Sequence, residues 1–236
     1  MLFNLFWGDW TILIVMPAFI FTLWAQFQVK GTFSEYSRKM SRSGMTAAQA
    51  ATELLHSKGI YNVEVRRVRG ELTDHYDPRN RTLNLSDSVY GSTSVAAVGV
   101  ACHEAGHAIQ HAQKYAPLET RMRIIPMCNI GSQLAMPLFF IGLLFARAPM
   151  GSGLMLAGIA CFSLSTLFQL ITLPVEFDAS RRAMAGIRES GLLTKEEQSG
   201  AQKVLRAAAM TYVAALATSL LSLLRLIVIA NHSRRD

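Results

Sequence analysis

Apolar residues are concentrated in four long stretches of the chain that carry almost no charge. Each is close to the roughly 20 residues that a helix needs to cross a bilayer. The remaining residues are polar, or apolar only at helical or alternating spacing. The pattern therefore predicts a mostly α membrane protein with four transmembrane helices. The stretches run from about Trp10 to Val29, Ile124 to Phe145, Met150 to Leu173 and Ala207 to Ala230.

The longest polar segment, Lys30–Arg123, predicts a small α+β domain. A capping box at Thr46 and Gln49 starts a helix with apolar residues at helical spacing. Short alternating runs on either side of the turn at residues 77–80 predict a small antiparallel sheet with a hairpin. A proline-free run from about Thr93 to Gln113 then predicts one helix.

This last helix contains the pattern H-E-x-x-H at residues 103–107. One helical turn separates His103 from His107, so both imidazoles can reach a single ion. A catalytic zinc has three protein ligands and a water in its fourth position. Glu104 points to the neighbouring sector, where its carboxylate can accept a proton from a zinc-activated water. The pattern predicts a Zn²⁺ site with Glu104 as the catalytic general base.

A third ligand must come from elsewhere in the chain. His111 continues the row of histidines, but a straight helix puts it about 6 Å further along the axis than His107, out of reach of the metal. Glu176 and Asp178 are better candidates, because acidic side chains beside a membrane helix are costly without partners. The prediction is that Glu176 completes the site and that Asp178 holds a ligand histidine through its other ring nitrogen.

Other interpretations remain open for this acidic pair. The roles of Glu176 and Asp178 can be exchanged, and both carboxylates can instead pair with Arg181 and Arg182. They can also cap a helix predicted to begin there and to run to Ser190, after the apolar stretch has ended.

The order of these elements predicts five segments along the chain. The second and third apolar stretches are joined by a short connection, so they form a hairpin whose ends return to the same side of the membrane. Thr194 and Glu197 form a second capping box ahead of the last apolar stretch. The segments are a transmembrane anchor at 1–29, a zincin-like catalytic region at 30–123, a transmembrane hairpin at 124–173, a third-ligand region at 174–206 and a C-terminal transmembrane helix at 207–236.

Three parts of the chain together resemble the YugP-type membrane zinc metallopeptidases. They are Leu72–Pro78, Ala97–Gln110 with H-E-A-G-H-A-x-Q, and Pro174–Ala183 with V-E-F-D-A-S. The resemblance spans most of the chain, including the order of the apolar stretches. It implies a neutral zinc metallopeptidase with the two histidines of the motif and the glutamate of V-E-F-D-A-S on the metal, and with the glutamate of the motif as base.

A looser similarity leads to the HtpX and CAAX prenyl proteases, whose third ligand is the glutamate of E-x-x-x-D. Here the spacing is E-x-D, at Glu176 and Asp178, so the role of the aspartate stays open.

His75 and Tyr76 lie in a predicted strand just before the motif helix. In zinc proteases of this general type, an edge strand beside the metal helix holds the substrate in extended form. Either side chain is then a candidate to polarise the scissile carbonyl. The alternative is a hairpin with its own local hydrogen bonds.

These features predict a membrane-bound zinc-dependent endopeptidase that acts on protein or peptide substrates, including membrane proteins. An intramembrane, site-2-type protease is one alternative; the expected position of Glu176 at a helix end argues against it. A membrane scaffold or adaptor without catalysis is another. Glu104 separates the enzymes from the scaffold, because a structural metal site needs no general base.

Charge and cysteine content refine the setting. Of the 23 Lys and Arg residues, 19 lie in Lys30–Arg123 and Arg181–Arg206, although the net charge is only +7. The positive-inside rule then predicts that the catalytic side faces the cytoplasm. The expected location is a bacterial cell membrane, with the lipid bilayer as a partner. No nucleic-acid-binding motif is present. The three cysteines, Cys102, Cys128 and Cys161, lie in apolar surroundings and are predicted to be buried hydrophobic residues.

Overall fold

The structure is a computed structural model that describes residues 10–233. Residues 1–9 of the predicted anchor, and Arg234 and Arg235 of the charge count, lie outside the described residues. The helices are α1 (Ile12–Ser37), α2 (Ala47–Ser57), α3 (Asp87–Tyr90), α4 (Val95–Ala112), α5 (Ala116–Leu144), α6 (Pro149–Ser190) and α7 (Lys195–Ser233). The strands are β1 (Glu64–Val68), β2 (His75–Asp77) and β3 (Thr82–Ser86).

Four of these helices, α1, α5, α6 and α7, are long and apolar enough to cross a membrane. Each contains one of the four predicted apolar stretches, so the prediction of a mostly helical chain with four candidate membrane spans is confirmed. The predicted caps are present as well. Thr46 and Gln49 form a reciprocal capping box before α2, and Thr194 and Glu197 do so before α7.

The described residues form two compact units. The apolar unit comprises residues 10–24, 120–172 and 212–233, and the site unit comprises Ala25–Glu119 and Leu173–Thr211. The four long helices each contribute residues to both units.

In the apolar unit, large hydrophobic side chains face outwards and small or hydroxyl residues allow helices to approach. A Cβ atom added at Gly158 would lie 2.7 Å from the backbone nitrogen of Phe139. The hydroxyls of Thr166 and Ser219 are 2.8 Å apart. Both contacts are typical of helix packing in lipid, where small residues and interhelical hydrogen bonds replace a hydrophobic driving force. Exposed large side chains include Leu13, Phe19, Ile130, Leu144 and Leu156.

Alanine is the most frequent residue in the core of the site unit. Ten fully or almost fully buried alanines belong to it: Ala47, Ala50, Ala51, Ala96, Ala97, Ala101, Ala105, Ala108, Ala183 and Ala201. Gly106 shows how close the helices come, because a Cβ atom there would lie 2.4 Å from the carbonyl oxygen of Ala179. The glycine of the H-E-x-x-H motif therefore lets α4 pack directly on the backbone of α6.

The sheet is mixed, and the prediction of an antiparallel sheet is correct only for the hairpin. Strands β2 and β3 pair antiparallel, with Tyr76 opposite Leu83, whereas β1 pairs parallel with β3 in the order β1-β3-β2. Alternation along a strand predicts which face is buried, but it carries no information about the direction of the neighbouring strand.

Helix α6 also differs from the expectation. It continues without interruption through Pro174 to Ser190, so Glu176 lies inside a long helix and not at a helix end. A proline removes one helical hydrogen bond, but packing on the following turns outweighs that loss. Val175 and Ala179, the first such contacts, are fully buried.

Candidate metal centre

Helix α4 places the two histidines of the motif on one face. Ser94 caps the helix by accepting a hydrogen bond from the backbone N–H of Ala97, at 3.2 Å. Two turns later, the rings of His103 and His107 lie 4.9 Å apart between centroids and are nearly perpendicular, at 84°. Both side chains are largely buried, with 13% and 11% of their surface exposed.

Glu176 of α6 lies against both imidazoles. Its Oε2 atom is 3.3 Å from Nε2 of His103 and 3.4 Å from Nε2 of His107. Glu176 is 2% exposed. One donor atom from each of the three residues lies within 4.8 Å of the other two. The structure therefore brings together the three side chains that the sequence proposed as ligands.

The spacing of these donors fits a zinc ion. Four ligand atoms held tetrahedrally about 2.1 Å from Zn²⁺ are about 3.4 Å apart. The two distances from the Glu176 carboxylate oxygen, 3.3 and 3.4 Å, match that edge. Two imidazole nitrogens and one carboxylate oxygen are also the ligand set of a catalytic zinc. The cluster hence has the donors that Zn²⁺ requires, and its two distances from Glu176 fit the ion.

The cluster is an electrostatically coupled group. Burial raises the pKa of Glu176, but its contacts with His103 and His107 have the larger combined effect and hold it well below its usual range. Burial lowers the pKa of His107, but Glu176 and then Glu104 raise it, and the net change is upwards. The Glu176 carboxylate is therefore ionised at neutral pH.

Glu104 lies beside the cluster without belonging to it. It is only 9% exposed, and no residue of the described range 10–233 hydrogen bonds to its carboxylate. The side chain is near enough to His107 to raise the pKa of that ring.

Gln110 holds His107 from behind. Its amide Nε2 donates to the carbonyl oxygen of Val175 at 2.8 Å and to Oδ2 of Asp178 at 2.9 Å. Both partners are acceptors, so the amide orientation is determined and Oε1 must face Nδ1 of His107, 3.0 Å away. Nδ1 of His107 therefore carries the hydrogen and donates it. In the neutral ring, Nε2 then carries the lone pair that a metal ligand requires.

Asp178 therefore supports His107 indirectly. The prediction was a direct contact with a ligand histidine, but the described contacts of this carboxylate are with Gln110, Arg181 and Arg182. Burial raises the pKa of Asp178, but the hydrogen bonds from Arg182 and Gln110 lower it by a larger amount, so the net change is downwards. The alternative that Asp178 pairs with both arginines is thus confirmed for the aspartate, whereas Glu176 faces the histidines.

His103 is oriented by a serine hydroxyl. Nδ1 of His103 is 3.1 Å from the hydroxyl of Ser180, one turn after Glu176 on α6. A serine hydroxyl can either donate or accept, so this contact orients the ring without determining its tautomer.

The remaining sequence candidates contact one another or their own hairpin. The hydroxyl of Tyr76 is 2.9 Å from Nδ1 of His111, and burial raises the pKa of that tyrosine. Nδ1 of His75 faces the carbonyl oxygen of Thr73 at 2.9 Å, and Nε2 faces the Asn84 amide at 3.2 Å. Within residues 10–233, none of the three belongs to the cluster of possible metal ligands.

Cys102, the neighbour of the first histidine, points into the core. It is fully buried, and burial raises the pKa of its thiol to about 12. The thiol is therefore neutral, in line with the prediction of a small buried hydrophobic residue.

Gln110 and Ser180 are the site residues that sequence reasoning missed. Both had a signal in the chain. Gln110 follows His107 by three positions and Ser180 follows Glu176 by four, and these are the spacings at which helical side chains share a face.

The family described as "Putative neutral zinc metallopeptidase" matches residues 11–231. The protein named "Putative membrane protease YugP" from Bacillus subtilis (strain 168) is 46% identical over 225 residues, which cover 95% of this chain and 98% of that protein. No solved structure shows a significant match.

Proposed function

We propose, from the premise that this chain belongs to the neutral zinc metallopeptidase family, that it is a membrane-bound zinc-dependent endopeptidase that hydrolyses peptide bonds in protein or peptide substrates. His103, His107 and Glu176 hold the Zn²⁺, and Glu104 is the general base.

The observation that carries this proposal is the convergence of three donors from two helices. His103 and His107 come from α4 and Glu176 comes from α6, and the two distances from the Glu176 oxygen match the edge of a tetrahedral zinc site. A buried, ionised carboxylate against two imidazoles costs desolvation energy, and a shared cation compensates for it.

The chemistry assigns a distinct task to each side chain. When bound, zinc acts as a Lewis acid that polarises the scissile carbonyl and lowers the pKa of a water. Glu104 accepts a proton from that water at its carboxylate and later donates it to the leaving amine. The absence of a hydrogen-bond partner for Glu104 within residues 10–233 is consistent with this task, because its oxygens are not engaged elsewhere.

We propose that α4 and the small sheet beside it form a zincin-like catalytic region. β2 lies at one edge of the sheet, and Tyr76 of this strand contacts His111 of the motif helix. An edge strand can hold a peptide in extended form through main-chain hydrogen bonds. We assign that role to β2, with Tyr76 or His75 as the candidate to polarise the substrate carbonyl.

The setting of the enzyme follows from the charges. We propose a multi-pass protein of a bacterial cell membrane with its catalytic side in the cytoplasm, because 19 of 23 basic residues lie in Lys30–Arg123 and Arg181–Arg206.

The test compares the purified wild type with Glu104→Gln on casein-like substrates, with bound zinc measured in both. Loss of the general base is expected to lower kcat by about 10²–10⁴-fold while zinc content stays the same. Glu71→Gln, an exposed glutamate before β2, is the matched control and should behave as wild type. Equal activity of the wild type and Glu104→Gln would refute the peptidase mechanism and favour the scaffold alternative.

One observation favours the alternative of an intramembrane protease. Glu176 lies on the uninterrupted helix α6, which also contains an apolar stretch. The expected position of Glu176 at a helix end therefore no longer argues against this alternative. Against it, the motif helix α4 is not among the candidate membrane spans found in the described residues. Cleavage of soluble casein supports the proposed enzyme, whereas cleavage restricted to bonds within a substrate's transmembrane segment would favour the alternative.

A further inference from the structure

A pocket of about 270 Å³ lies between α6 and α7 in the site unit. Its walls combine an apolar surface with positive charge. The apolar residues are Phe177, Met184, Leu205 and Ala209, and the polar residues are Ser180, Gln202, Arg181, Arg188 and Arg206. None of the lining residues is acidic.

Two of the three arginines have no partner within residues 10–233. Arg181 contacts the carboxylate of Asp178, but Arg188 and Arg206 are exposed and form no hydrogen bond or ion pair with a described residue. Guanidinium groups bind phosphate through paired hydrogen bonds, and several at one place favour an anion.

The apolar part of the pocket is also incompletely covered. Phe177 leaves 47% of its surface exposed, beside the buried side chains of Met184 and Leu205. An occupant that satisfies both parts must carry an anionic group and hydrocarbon.

The position along the chain favours a lipid over a peptide. Phe177 follows the apolar stretch that ends near Leu173 by about one helical turn, and Arg206 directly precedes the stretch that begins near Ala207. Basic residues at such positions meet the headgroups of an anionic leaflet. The lining includes none of the proposed metal ligands His103, His107 and Glu176, although its Ser180 also contacts Nδ1 of His103.

We propose that this pocket binds one anionic phospholipid, with Arg188 and Arg206 on the phosphate and an acyl chain against Phe177. The site does not depend on the peptidase activity proposed above.

The test counts bound lipids by native mass spectrometry of the purified protein after delipidation in neutral detergent. Phosphatidylglycerol is titrated against phosphatidylcholine, because both carry a phosphate but only the first is anionic. The wild type should bind one phosphatidylglycerol in preference. The double variant Arg188→Gln/Arg206→Gln should bind it about 30-fold more weakly, as expected for the loss of two basic residues near a headgroup.

A control variant separates this site from general charge attraction. Arg69→Gln/Arg79→Gln removes two exposed arginines outside the pocket and should bind phosphatidylglycerol as the wild type does. Unchanged binding by the Arg188/Arg206 variant, or equal loss in both double variants, would overturn the proposal. Displacement of the lipid by inorganic phosphate, or by an acidic peptide at lower concentration than the lipid, would overturn it as well, in favour of a phosphate or substrate site.

Discussion

The two histidines of the cluster are held by hydrogen-bond networks of different extent. Behind His107 the contacts run from Gln110 to Asp178 and on to Arg182, with an amide orientation that allows one tautomer. Behind His103, within residues 10–233, the contact is with the hydroxyl of Ser180. Metal sites depend on such outer contacts, because they orient the ring and raise its basicity. His107 is therefore held in one orientation and one tautomer, whereas the contact with Ser180 leaves the tautomer of His103 undetermined.

The charges behind the two histidines differ in the same sense. Asp178 carries a full negative charge. Burial raises the pKa of its carboxyl group, but the contacts with Arg182 and Gln110 lower this pKa by a larger amount. Ser180 is neutral, and it also lines the arginine-containing pocket. The pocket therefore adjoins the support of His103 through Ser180, and it adjoins Asp178 through Arg181.

The largest effect is expected from the residue that both sides share. Glu176→Ala removes a proposed ligand, so zinc affinity should fall by more than the roughly 10–100-fold caused by loss of an outer partner. Zinc content by mass spectrometry and competition with a chelator measure it. His111→Ala is the control, because His111 contacts Tyr76 and lies outside the cluster. Zinc loss in His111→Ala with zinc retained in Glu176→Ala would refute the ligand assignment.

The difference between the two sides can be measured directly with Gln110→Ala and Ser180→Ala. Gln110→Ala should weaken zinc binding by about 10–100-fold, because Nδ1 of His107 loses its acceptor and its tautomer is no longer determined. Ser180→Ala should lie at or below the lower end of that range. Thermal unfolding of the zinc-free proteins separates a loss of metal affinity from a loss of fold. Equal effects on zinc would show that the deeper network adds nothing to the site.

The smallest effect is expected far from both supports, at the cap of α7. Oε2 of Glu197 accepts from the Thr194 N–H at 2.7 Å and Oε1 accepts from the Arg42 N–H at 2.8 Å. Burial raises the pKa of Glu197, but these hydrogen bonds lower it by a larger amount, so the net change is downwards. Glu197→Gln should cost about 1 kcal/mol of unfolding free energy at pH 7.

A carboxyl with a depressed pKa in the folded state stabilises the protein above its unfolded pKa, and this contribution disappears as the pH falls through the folded pKa. The difference between the wild type and Glu197→Gln should therefore shrink below about pH 4.3, the ordinary value for glutamate. Thermal unfolding in detergent as a function of pH measures it, with zinc content at pH 7 unchanged. A difference that is constant down to acidic pH would show that the ionised cap contributes nothing.

Much of the fold could be predicted because it depends on neighbours in sequence. The apolar stretches, the capping boxes at Thr46 and Thr194 and the motif helix were all predicted, and the structure confirms them as elements. The parallel pairing of β1 and the continuation of α6 through Pro174 were not. Both depend on which surface a segment packs against, and local periodicity does not carry that information.

The sequence by itself determined the local chemistry of this protein. Helical spacing places His103 and His107 on one face, and the length of the apolar stretches predicts their potential to cross a membrane. Only the tertiary structure decided which carboxylate meets the histidines, because Glu176 and Asp178 are two positions apart and point to different sides of α6. Packing of Gly106 on Ala179 brings α4 and α6 close enough for Glu176 to reach both rings, and the same packing leaves Asp178 to Gln110 and the arginines.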